Sequence, residues 1–103
     1  MSTFNAAHFA NLQQFLRAYL HQDYVDVHGS PAGAARDFCK GATPARLTAV
    51  QTEFDAFLAL AHGVKWPQTV AWWTDELGSS WVPADTIELS KLRAELSHAP
   101  GKK

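Results

Sequence analysis

Thr43-Pro44-Ala45-Arg46-Leu47-Thr48-Ala49-Val50-Gln51-Thr52-Glu53-Phe54-Asp55-Ala56-Phe57-Leu58-Ala59-Leu60-Ala61-His62-Gly63 reads as one amphipathic helix with both ends marked. The Thr oxygen is available to cap free N–H groups, and Pro at the first helical position loses no hydrogen bond. Leu47, Val50, Phe54, Phe57, Leu58 and Ala61 recur at helical spacing and trace an apolar stripe. His62-Gly63 ends it.

The same punctuation recurs on either side. Upstream, Ser30-Pro31 opens a helix that Gly41 stops after Phe38-Cys39-Lys40. Downstream, Trp66-Pro67 opens a short tryptophan-rich helix with Val70, Trp73 and Leu77 on one face, closed by Gly78 just past its end. Asp85-Thr86-Ile87-Glu88 has the layout of a capping box with Asp in the usual Ser or Thr place, and Leu89, Leu92 and Leu96 follow as a buried stripe. At the start, Phe9, Leu12, Leu16, Tyr19 and Leu20 predict a helix over roughly residues 5–21. It gives way at His21 to His28, where aromatic or β-branched residues alternate with polar ones and favour extended chain until Gly29.

Five short helices joined by brief loops predict an all-α, compact, single-domain bundle spanning residues 1–98, with a flexible tail over 99–103. A length of 103 residues, 47% hydrophobic, suits one core rather than two. No stretch reaches transmembrane length, and the N-terminus lacks the basic and apolar layout of a secretory signal, so a cytoplasmic location is expected. Cys39 is the only cysteine, which rules out an intramolecular disulfide and suits a reducing compartment.

Nine Lys and Arg against ten Asp and Glu leave a net charge of −1. Residues 1–98 carry seven basic and ten acidic side chains, a net −3. That balance argues against a phosphate-neutralising protein, so nucleic acid is not expected as a direct partner, and a mildly acidic body favours encounter with a basic one.

Catalytic chemistry finds no support. The histidines at 8, 21, 28, 62 and 98 are scattered, and no metalloprotease, dinucleotide, P-loop or nucleophile-elbow motif is present. His21 and His28 bracket Asp23 and Asp26, a ligand mixture compatible with a transition metal, although ordinary loop polarity accounts for it. Asp75-Glu76 is a carboxylate pair, but neighbours on a helix point about 100° apart and need not share a proton. The expectation is a protein that is not an enzyme and uses no cofactor or metal.

Asn11-Leu12-Gln13-Gln14-Phe15-Leu16-Arg17-Ala18-Tyr19-Leu20 running into His21-Gln22-Asp23-Tyr24 resembles the opening signature of a family of immunity proteins from contact-dependent growth inhibition (CDI) systems. Phe38 in a short helix, the amphipathic helix over Phe54 to Leu60, Leu77-Gly78 followed by Trp81-Val82-Pro83, and a last short helix are similar to that family in order. The resemblance implies a bacterial cytoplasmic protein that binds the C-terminal toxin domain delivered by a neighbouring cell, commonly a nuclease, and blocks it. A small helical adaptor or regulator without a toxin partner is the alternative. A motif shared by proteins that meet different toxins suits a structural role, which is the expectation for His21, Gln22, Asp23 and Tyr24. Partner contacts are expected instead at Asp26, Trp72, Asp75, Glu76 and Trp81, by charge and aromatic character, with packing on a neighbouring helix as the alternative for Trp72, which points about 100° from the buried stripe.

Overall fold

The computed structural model describes residues 5–22 and 24–96. Among the described residues are six α-helices and no strand: α1 (Ala10–Tyr19), α2 (Tyr24–His28), α3 (Pro31–Gly41), α4 (Pro44–Ala61), α5 (Trp66–Ala71) and α6 (Thr86–Glu95). A 3-10 turn, Ala6–Phe9, leads into α1, and a π-helical turn, Trp72–Glu76, continues α5. The protein is an all-α bundle whose five longer helical stretches stand where the punctuation marked them.

The caps act through the side chains that predicted them. Ser30 accepts from Gly33 N at 3.0 Å and Thr43 from Arg46 N at 3.1 Å, each with Pro in the first turn. Asp85 accepts from Glu88 N at 3.0 Å, while Glu88 returns to Ala84 N, one residue before the cap, at 3.0 Å. Gly78 adopts φ +85°, the left-handed conformation that a side chain resists and a helix end uses.

α4 is the central strut, packed against α1, α6 and the N-terminal 3-10 turn, while α3 packs against α1, α2 and α6. Val50, Phe54 and Phe57 of its stripe are fully buried, and Leu47, Leu58 and Ala61 line the margin. Leu12, Phe15, Leu16 and Leu20 from the first helix and Leu89, Leu92 and Leu96 from the last complete the core with Phe38 and Cys39. One carboxylate joins α4 to α1: Glu53 accepts from Asn11 Nδ2 at 2.8 Å and from the Leu12 backbone N–H at 2.9 Å. It thereby satisfies a first-turn donor that has no partner within its own helix.

Two local expectations are corrected. The segment before Gly29 is helical rather than extended over Tyr24–His28. Its alternation does not mark a half-buried strand face, because Val25 and Val27 are 58% and 61% exposed. The turn is held instead by His28, whose ring stacks on Tyr19 at 5.2 Å and whose Nδ1 lies 2.6 Å from Asp37 Oδ2 on α3. Gly29, at φ +84°, turns the chain into Ser30. The fourth predicted helix does not continue as regular α-helix through Leu77. Leu77 N donates to Trp72 O at 2.9 Å, the wider π spacing, and Trp72, Trp73 and Leu77 are all buried.

Candidate partner-binding surface

The residues singled out by charge and aromaticity fall into two places. Asp26 is exposed at the middle of α2, between the exposed Val25 and Val27. Trp72, Asp75, Glu76 and Trp81 lie on the π turn and the loop that follows it. Trp72 is only 8% exposed, so it offers a partner little surface. Asp75 and Glu76 are exposed at the end of that turn, where the Glu76 carbonyl accepts from Gln13 Nε2 at 2.9 Å.

Trp81 is half-buried, with its ring edge-on to Trp73 at 6.2 Å, and Trp73 in turn packs on Phe54 and Phe57 at 5.4 Å. The loop carrying it is pinned by local bonds and by one to the end of the first helical segment. Ser79 Oγ donates to Trp81 O at 2.8 Å and accepts from Trp81 N at 3.1 Å, and Ser80 N donates to Leu20 O at 2.8 Å. Pro83 is buried, whereas Val82 beside it is 57% exposed. Trp81 also walls an open groove of about 410 Å³ between the start of α3 and the outer face of α6, lined by Pro31, Ala32 and Leu92 with Glu88, Lys91 and Glu95 on its margins.

Sequence reasoning missed the exposed aliphatics of this region. Ile87, 64% exposed, stands two residues before Leu89, about 200° round the helix from the buried stripe. That spacing was the signal: an aliphatic residue placed opposite three core leucines has no core to enter. Val82 carried no comparable signal, since only the pinned loop determines that Pro83 turns in and Val82 out.

The His-Gln-Asp-Tyr step joins α1 to α2. His21 is half-buried and Gln22 exposed at the turn, Asp23 lies outside the described residues, and Tyr24 begins α2. His28 is committed to Tyr19 and Asp37, and its hydrogen bond holds the Asp37 carboxyl below the usual carboxylate range. Among the described residues, no three His, Cys, Asp or Glu side chains converge as metal ligands.

Cys39 is buried, with its Sγ 3.7 Å from the Leu96 carbonyl, and burial pushes its thiol up from the ordinary value, reinforced by the charge of Glu95. A buried thiol with a raised pKa is a poor nucleophile. Among the described residues, no helix is long and apolar enough to cross a membrane.

No curated protein and no solved structure matches the chain. Residues 8–86, running from the N-terminal 3-10 turn to the first residue of α6, match the family described as CdiI immunity protein. With that match spanning most of its 103 residues, the chain belongs to the CdiI immunity protein family.

Proposed function

We propose that this protein protects the cell that makes it by binding the C-terminal toxin domain of a CDI system in the cytoplasm, and that the toxin is a nuclease. The family match over residues 8–86 carries the reading. An acidic, non-catalytic body complements a domain that must bind phosphate and is therefore basic. Inhibition then requires no chemistry from the immunity protein, only a complex that keeps substrate out. Asp75, Glu76 and Trp81 supply contacts from the surface around the π turn, with Asp26 on α2 as a separate candidate; Trp72 supports that surface from beneath. The His21–Tyr24 step sets the α1–α2 turn.

Co-purification with the toxin domain encoded immediately upstream, followed by a nuclease assay of that domain with and without this chain, tests the reading. A complex that abolishes the activity supports it. No complex at micromolar concentration refutes it.

A further inference from the structure

Between Lys65 and Lys91 the chain has no lysine, arginine or histidine, but it has four carboxylates, Asp75, Glu76, Asp85 and Glu88, all exposed. Within this acidic stretch stand the two exposed aliphatic side chains Val82 and Ile87, one on the pinned loop and one on the first turn of α6. The groove beside them has an apolar floor in Leu92 and Trp81 and carries Glu88 on its margin. Its basic neighbours are few: Lys91 lines the groove one turn from Glu88, the Arg17 side chain lies against Gly78, and Arg36 is held by Glu95 at 3.1 Å.

The geometry points to one docking surface made of Val82, Ile87 and the Trp81–Leu92 groove, framed by Asp85 and Glu88. Its occupant is a basic protein surface that presents an apolar side chain to the groove. This rests on the immunity reading and deepens it: the occupant is the phosphate-binding face of the toxin, whose positive charge meets the carboxylates while its apolar side chain enters between Trp81 and Leu92. A basic surface is drawn in by the carboxylates over distances of about a Debye length, and exclusion of water from Val82 and Ile87 then slows its departure. Another groove, lined by His8, Phe9, Thr52, Ala56, Ala59 and Leu60, has among its lining residues the single carboxylate Glu53, already engaged by α1.

The test compares full-length Val82→Arg, Ile87→Arg and the control Ala59→Arg in the second groove for affinity toward the upstream toxin domain. All three positions are exposed, and unchanged melting curves verify folding. Ile87→Arg and Val82→Arg are each expected to weaken binding about tenfold or more, with Ala59→Arg unchanged. Glu88→Gln is expected to reduce the dependence of the association rate on salt. If the parent protein binds the toxin and neither Val82→Arg nor Ile87→Arg weakens the complex, the docking surface is wrong and the immunity reading stands. If the parent protein does not bind, the immunity reading fails and this inference fails with it.

Discussion

Gly33→Ala places a methyl group where the structure has none to spare. A Cβ built at Gly33 lies 2.2 Å from the His28 carbonyl oxygen and 3.4 Å from both His28 C and Ser30 Oγ. Ordinary carbon–oxygen contact is about 3.3 Å, so α2 and α3 must separate by roughly 1 Å. Both near His28 atoms are backbone, and His28 is held in place by Tyr19 and Asp37, so the strain has no flexible side chain through which to relax. Overpacking of this kind costs about 1–3 kcal/mol, against up to about 1 kcal/mol that Ala gains over Gly within a helix. The net expectation is a loss of roughly 1–2 kcal/mol, or a fall in Tm of about 4–16 °C for a domain of this length.

Gly41→Ala, at the other end of the same helix with nothing within 4 Å, supplies the comparison and is expected to be neutral or mildly stabilising. Urea titration followed by helical circular dichroism measures both variants. A Gly33→Ala protein as stable as the Gly41→Ala protein would refute the close approach of α2 to α3.

Three further outcomes are expected. Thr69 is fully buried and its Oγ1 has no hydrogen-bond partner among the described residues, so Thr69→Val, of the same shape, should raise stability by about 1 kcal/mol in urea denaturation; a loss would show that the hydroxyl is satisfied in solution. Folding raises the Cys39 thiol above its ordinary value of 9.0, so its contribution is complete below pH 9 and lost as pH rises further; Cys39→Ala should flatten the alkaline fall in stability relative to the parent. Folding lowers the Asp37 carboxyl below 3.8, so its contribution is present above pH 4 and lost as acid protonates it; Asp37→Asn should lose less stability than the parent between pH 4 and lower pH in acid titration.

The elements legible in the sequence were those whose signals are local. Ser30-Pro31, Thr43-Pro44 and Asp85 cap helices through their own side chains, and the stripes at Val50, Phe54, Phe57 and at Leu89, Leu92, Leu96 follow the helical repeat without interruption. Two features were not legible because tertiary contacts set them. Val25 and Val27 read as strand by propensity, but a strand needs a neighbour to pair with, and the docking of His28 on Tyr19 and Asp37 holds a short helix instead. The π turn at Trp72–Glu76 has no signature in residue type, and Trp72 and Trp73 are both buried although neighbours on a helix point about 100° apart. Of the two readings open for Trp72, its burial fits the core one, while Asp75 and Glu76 are exposed.

The consequence for binding lies in how the loop after the π turn is held. Trp81 rests edge-on against Trp73, itself fixed by Phe54 and Phe57 of the central helix, and the Leu20 carbonyl of the first helical segment receives Ser80 N. Val82 is therefore presented by a loop whose ordering cost is met when the protein folds, not when a partner arrives. A surface held this way loses little conformational entropy on association, so more of its contact energy appears as affinity. A core change beneath the loop would be felt there first. Trp73→Phe shortens the ring that supports Trp81 and should weaken the partner complex more than Phe15→Leu, which repacks a buried position against Tyr19 and Phe38 without touching the loop. Equal effects of the two substitutions on partner affinity, at matched losses of stability, would mean that the loop is not held through Trp73.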